Sequence, residues 1–138
     1  MADCQKGWET YEAGDYASAL REWKPLAKQG NANAQFNLGL MYRWGQGVTQ
    51  DDAQAAAWYR KAAEQGNTNA QFNLALMYAE GRGVAQGYVQ AHMWFKLAAA
   101  QGHEEAAEIR DKFAEVMTRD QIIEAQRLAR EWTEKHPK

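Results

Sequence analysis

Side chains that could act as nucleophiles or bind phosphate are scarce in this chain. Ser18 is its only serine, and both neighbours are alanines, so it lacks the glycines of a nucleophile elbow. Two glycine loops, Gly45–Val48 and Gly81–Val84, follow predicted helices instead of strands and lack the lysine of a phosphate-binding loop. We interpret them as helix ends, with each valine turned toward the core. The chain is therefore predicted not to be an enzyme.

Thiol and imidazole groups are equally dispersed. Cys4 is the single cysteine, which excludes an internal disulfide, and Lys6 is the only basic residue near it in sequence. His92, His103 and His136 lie on separate predicted elements, and none has a second ligand three or four residues away on the same helix face. We interpret Cys4 as a packing residue and the histidines as a helix-surface residue, an N-cap and a tail residue. No metal or other cofactor is expected.

A repeat of 36 residues determines which elements carry these side chains. Residues 31–66 and 67–102 are identical at 21 of 36 positions, and each copy runs through a Gly-x-Gly-Val loop to a final Gln-Gly. In the second half of each copy, alanines and aromatics recur three and four residues apart, which is typical of one helix face. The unit is therefore predicted to be helix, glycine loop, helix. The same spacing predicts that Trp58 and Trp94 are buried between helices.

The ends of the chain are degenerate forms of the same unit. The segment Gly14–Gly30 aligns with the second half of a copy, so residues 2–30 are predicted to be a first helix pair with a shorter loop. Residues 103–138 are predicted to be a last pair, in which Thr118-Arg-Asp-Gln121 has the form of a capping box. Because this last pair is rich in charged side chains, we interpret it as a cap that shields the end of the core.

Composition and charge limit the partners of the chain. Its 138 residues carry a formal net charge of −2, and lysine and arginine form no cluster, which argues against a nucleic-acid partner. No run of about 18 apolar residues exists, so membrane insertion is not expected. Helical periodicity extends through every segment without a competing strand pattern. These features predict an all-α fold of about four helix pairs in a single repeat domain, residues 1–138.

One set of repeated positions carries a family resemblance. It consists of Ala34, Leu38, Gly39, Tyr42, Gly45, Gly47, Val48, Asp51, Ala55, Trp58, Tyr59, Lys61, Ala62, Ala63 and Gly66. This pattern resembles the Sel1-like repeat family, the 36-residue relatives of tetratricopeptide repeats, most clearly over residues 31–102. The resemblance implies a right-handed α-solenoid of helix-turn-helix repeats that acts as an adaptor or scaffold. It also implies a protein or peptide partner, often in bacterial envelope, secretion-linked or host-interaction settings.

Some members of that family are cysteine-rich secreted proteins with a disulfide in each helix pair. Penicillin binding or β-lactamase activity is attributed to some of those members. The single Cys4 removes the structural basis for carrying that activity over to this chain. A penicillin-recognising hydrolase is therefore the disfavoured alternative to an adaptor, and an immunity-type inhibitor of a secreted effector is a further one.

In related solenoids the first helix of each pair lines a concave groove, and the resemblance transfers that face to this chain. The corresponding positions are Trp8, Asn33, Phe36, Leu40, Trp44, Asn69, Phe72 and Leu76, with Asn37 and Asn73 beside them. Phenylalanine and leucine are four residues apart in both copies, which puts each pair on one helix face. Asparagine amides can pair with peptide backbone, so we expect this face to bind a peptide or protein segment. The alternative is that Phe36 and Phe72 belong to the core between repeats.

The start Met-Ala-Asp-Cys contains neither the charged leader nor the apolar segment of an export signal. The location is therefore left open: a periplasmic or secreted location is expected if methionine has replaced a leader, and a cytoplasmic one otherwise. The identity of the partner and the oligomeric state stay open.

Overall fold

The protein is all-helical in the computed structural model, which describes residues 3–137. Its eight helices are α1 (Cys4–Glu12), α2 (Tyr16–Lys28), α3 (Ala32–Trp44), α4 (Asp52–Glu64), α5 (Thr68–Glu80), α6 (Tyr88–Ala100), α7 (Glu104–Ala114) and α8 (Arg119–Lys135). No strand occurs among the described residues. The predicted fold class and the four helix pairs are therefore confirmed. No helix in this part of the chain is both long and apolar enough to cross a membrane.

The helices fall into two compact units. The first unit ends at Asn67 and the second begins at Thr68, so the division lies one residue after the boundary between the two 36-residue copies. The first unit consists of α1 to α4, and the second consists of α5 to α8. Each unit thus joins one full copy to one of the degenerate terminal pairs.

Helix ends lie where the sequence places capping residues. Gly45 ends α3 with φ +67°, a left-handed conformation that a residue with a side chain rarely adopts. Asn31 caps α3 because its side chain accepts a hydrogen bond from the Ala34 amide at 2.9 Å. The capping box at the start of α8 is present in both directions, which confirms that prediction.

One core cluster of the first unit packs the large ring of Trp23 against smaller side chains. Trp23 is fully buried, and its Nε1–H donates to the Cys4 carbonyl at 3.2 Å. Gly7 lies flat against this indole, since a Cβ at Gly7 would be 2.2 Å from Trp23 Nε1. The rest of this core cluster consists of Ala19, Ala27, Ala34, Leu38 and Met41. Close approach of α1 and α2 therefore depends on the glycine as much as on the tryptophan.

The two tryptophans of the repeat differ in burial. Trp94 is 1% exposed, as predicted, whereas Trp58 is only partly buried, with the Lys61 ammonium 4.6 Å from its ring centroid. Tyr59, next to Trp58, takes the buried side of α4 at 2% exposure. Adjacent helix residues point about 100° apart, so a single packing partner covers only one of them fully. The prediction of a buried Trp58 was wrong for this reason.

The second unit is built around α6, which packs against α5, α7 and α8. Because helices cover it on several sides, both Trp94 and Phe95 are buried there. Trp132 of α8 lies edge-on to Trp94, with ring centroids 6.0 Å apart. The last helix thus covers the apolar side of α6.

Each full copy is closed by the same partly buried amide bridge. Gln65 Nε2 donates to Gln35 Oε1 at 2.8 Å, and Gln101 Nε2 donates to Gln71 Oε1 at the same distance. Gln71 is fully buried, so this bond satisfies a polar group that would otherwise be costly to bury. The bridge ties the start of the first helix to the end of the second helix in each copy.

Candidate functional site

An apolar stripe runs along α3 in the first unit. Its members Phe36, Leu40 and Trp44 are four residues apart and therefore lie on one side of the helix. Exposure rises toward the end of the helix: Phe36 and Leu40 are half-buried, and Trp44 is 62% exposed. Phe36 also contacts the core, since its ring centroid lies 5.7 Å from that of Tyr59. We call these three residues the α3 stripe.

The ring of Trp44 is held by its neighbours. The Arg43 guanidinium lies 4.4 Å from the indole centroid, within the range of a cation–π contact. Arg43 Nη1 is in turn 3.6 Å from an Asp52 carboxylate oxygen, and Gln50 donates to the same oxygen at 2.7 Å. Arg43 and Asp52 are both mostly buried, at 22% and 23% side-chain exposure. The indole is thus stacked on one side and open to solvent on the other.

The second copy has none of this arrangement. The positions of Arg43, Trp44 and Asp52 are occupied there by Ala79, Glu80 and Tyr88. Glu80 forms an ion pair with Arg82 at 3.2 Å, and Ala79 is buried. Three contacting residues therefore change together between copies whose first helices are otherwise nearly identical.

The phenylalanine of the second copy is covered. Phe72 is only 9% exposed, because the His103 imidazole stacks on it at 4.3 Å between centroids and Phe95 packs at 5.8 Å. The first copy is followed by Asn67 in place of His103, and Asn67 donates instead to Asn33 Oδ1 at 3.2 Å. Phe72 is therefore part of the core, whereas Phe36 is only half-buried.

The other expected groove residues also differ in their exposure to solvent. Asn33 and Asn69 are exposed and Leu76 is half-buried, so they can be reached from solvent. Trp8 is half-buried and packs edge-on against Trp23, with centroids 5.2 Å apart.

The amides expected beside the groove are less accessible than predicted. Asn37 is 1% exposed and cannot reach a partner's backbone, because it faces the packed side of α3. Its Nδ2 has no hydrogen-bond acceptor within residues 3–137. Asn73, the equivalent residue in the second copy, is half-buried.

Two of the three histidines lie in environments that differ from those predicted from the sequence. His103 is the N-cap of α7, as predicted, and its Nδ1 accepts from the Ala106 amide at 3.0 Å. His92, expected at a helix surface, is 4% exposed because neighbouring helices cover α6. His136, expected in a frayed tail, stacks on the Trp132 ring at 3.9 Å.

No nucleophile and base are brought together in the described residues. Ser18 Oγ accepts from Arg21 at 3.0 Å, and Cys4 is half-buried near Asn31. Burial, and secondly the Asp3 charge, raise the pKa of the Cys4 thiol, which disfavours the reactive thiolate. Within residues 3–137, no group of three or more histidine, cysteine or acidic side chains could hold a metal.

Comparison with known families and structures agrees with this architecture. The family model described as Sel1 repeat matches residues 32–67 and 68–103. A protective antigen of uropathogenic Escherichia coli strains that displays an SLR fold superposes with a TM-score of 0.91 at 34% identity, over 96% of this chain. A Sel1 repeat protein from Oxalobacter formigenes gives a TM-score of 0.75 at 38% identity, over 78% of this chain.

The chain spans 29% of the length of the E. coli structure and 44% of that of the O. formigenes structure. A search of curated proteins finds no match to this chain.

Proposed function

Because the chain belongs to the Sel1 repeat family, we propose that it is a non-enzymatic protein-interaction module whose main anchor is the exposed Trp44. Sel1 repeats typically mediate protein interactions. The two solved structures described above, which resemble this chain, both come from bacteria. The proposal adds a surface and a class of partner to that general role.

The single observation that supports this surface is the exposure of Trp44, whose indole stacks against the Arg43 guanidinium. An indole that is 62% exposed leaves a large apolar area in water, and burial by a partner would recover free energy from it. The Arg43 stack and the Asp52 ion pair limit the number of ring orientations. A side chain that is already oriented loses less entropy on binding than a mobile one.

The α3 stripe indicates the kind of segment that would bind. Leu40 and Phe36 extend the apolar surface inward from Trp44, and the exposed Asn33 lies one turn before Phe36. Apolar side chains at one edge of a peptide would pack on this stripe, while its backbone could pair with the amide. The partner we propose is therefore a peptide or protein segment with at least two apolar side chains in succession along one face. The exposed Asn69 and the half-buried Leu76 on α5 are proposed as a separate contact within the second unit.

Peptide display tests this proposal directly. We expect selection on the parent protein to enrich peptides with apolar side chains. The Trp44→Ala variant should no longer bind these peptides. Glu80→Ala is the matched control, because it removes an exposed side chain at the equivalent position of the second copy. Enriched peptides that bind Trp44→Ala as well as the parent would move the site away from the α3 stripe.

The non-enzymatic part of the proposal has its own test. The alternative of a penicillin-recognising hydrolase predicts turnover of the chromogenic substrate nitrocefin. We expect no turnover above that of a buffer blank. Turnover that survives in Trp44→Ala and copurifies with the protein would overturn the assignment as an adaptor.

A further inference from the structure

A second surface lies entirely within the second unit, between α6, α7 and α8. It is an open cleft of about 730 Å³, large enough for several side chains of a peptide. Its floor is formed by small or apolar side chains, which are Leu97, Ala99, Ala100, Ala107 and Ala129. Small floor residues let a bound backbone come close to the helices.

Positive charge dominates the rim of this cleft. Lys96, Arg110 and Arg130 line it, against the single carboxylate of Glu134. Lys96 and Arg130 form no ion pair in residues 3–137, whereas Arg110 contacts Asp111 at 3.0 Å. The Asp111 side chain is 71% exposed, so water screens that pair. Two unpaired cations and one weakly paired cation therefore border an apolar floor.

The buried His92 on α6 reports the same positive field. Burial lowers the pKa of His92 most, and the charges of Arg110 and Lys96 lower it further. Asp111 acts in the opposite direction and ranks after both cations. At His92, the carboxylate beside Arg110 thus does not cancel the effect of the two cations.

The apolar floor of this cleft is not repeated on α4 of the first copy. Leu97 and Ala100 of the cleft correspond to Lys61 and Glu64 on α4, which are charged. The apolar floor is therefore a property of the second unit and not of the repeat as such.

From this combination we propose that the cleft between α6, α7 and α8 binds an acidic amphipathic segment of a partner protein. Apolar side chains of the segment would lie on the alanine and leucine floor, and its carboxylates would pair with Lys96, Arg110 and Arg130. The site is separate from the α3 stripe, and the two can fail independently. A nucleic acid fits less well, because three cations around an apolar floor offer few phosphate contacts.

Fluorescence anisotropy with a defined probe tests the proposal. The probe is a fluorescein-labelled peptide of about 14 residues that carries leucine on one helical face and glutamate on the other. The control probe has lysine in place of every glutamate. We expect the acidic probe to bind and the basic probe to bind at least about tenfold more weakly, with an affinity that falls as salt rises.

Variants of the rim and the floor locate the binding. Two variants should each weaken binding of the acidic probe by about tenfold or more. One is the double variant Lys96→Glu with Arg130→Glu, and the other is Ala100→Tyr, which blocks the cleft. These positions are at the cleft surface, and circular dichroism checks that helicity is kept. The matched control is Arg60→Glu, the equivalent of Lys96 in the first copy, which should leave binding unchanged.

Three outcomes would overturn the proposal. They are equal binding of the two probes, binding by the double variant within about twofold of the parent, and no binding at about 1 mM probe. Trp44→Ala should not change this affinity, so failure here leaves the α3 stripe untouched. A duplex DNA probe that competes fully with the peptide would assign the cleft to nucleic acid instead.

Discussion

Single residues differentiate two copies that are identical at 21 of 36 positions. His103 covers Phe72 where Asn67 leaves Phe36 half-exposed, and Glu80 replaces the exposed Trp44. Gly39 likewise allows Tyr59 to lie against α3, whereas the second copy has Ala75. The identities of these residues are visible in the sequence, but their consequences depend on which ring lies above which helix. The N-cap role of His103 could be predicted from a local pattern, and its stacking on Phe72 could not.

Gly39→Ala is expected to destabilise the first unit, although alanine favours helices. A Cβ at Gly39 would lie 2.4 Å from Tyr59 Cε1, and Tyr59 is too buried to move aside freely. Overpacking costs about 1–3 kcal/mol, which exceeds the gain of about 1 kcal/mol in helix propensity. Urea unfolding should show a lower midpoint for Gly39→Ala. The control Ala75→Gly loses only propensity and a small contact, and a higher midpoint for Gly39→Ala would contradict the packing described.

His92→Ala is expected to reduce the dependence of the unfolding free energy on pH below about 6.5. The pKa of His92 is lowered in the folded protein, so below the ordinary value of about 6.5 the unfolded chain binds a proton that the folded chain resists. Stability of the parent should therefore fall as pH drops below about 6.5, by at most about 1.4 kcal/mol per pH unit from this group. Unfolding free energies at pH 8, 7, 6 and 5 measure the effect. Parallel profiles for the parent and His92→Ala would show that burial does not hold this imidazole neutral.

At the level of the helices, most of the architecture could be predicted from the sequence. Three local features carry this information: glycine and asparagine at the ends of the copies, the capping box before α8 and the spacing of the alanines. Because they act locally, their effect can be predicted from the sequence. The amide bridges between Gln35 and Gln65 and between Gln71 and Gln101 were missed, because they join residues 30 positions apart. The cleft between three helices was missed for the same reason.

Removal of α8 tests whether the last helix acts as a cover. A chain that stops after Met117 should expose the side of α6 that packs against Trp132, and repeat arrays without a cap lose solubility. We expect self-association in size-exclusion chromatography and increased binding of the dye ANS. Thr118→Ala is the matched control: it removes the cap hydrogen bond, at a cost of about 1 kcal/mol, and keeps the cover. A truncated chain that stays monomeric with its remaining helices intact would show that α8 is an appendage.

For the whole molecule, the repeat creates two units of similar construction with different surfaces. The first unit carries an oriented tryptophan on α3, and the second carries a basic-rimmed apolar cleft beside α6. The family resemblance predicts the helices that the copies share. The proposed binding features lie where the copies differ, so the shared pattern could not locate them. Asymmetry between the copies is therefore the basis of both proposals.

Isothermal titration calorimetry on a peptide selected by display tests the central claim most directly. We predict that Trp44→Ala weakens binding of the peptide by about 2 kcal/mol, roughly thirtyfold in Kd. Glu80→Ala should bind like the parent, and all three proteins should unfold at the same temperature because both side chains are exposed. Equal affinity of the parent and Trp44→Ala, with both well folded, would contradict the claim that Trp44 anchors the partner.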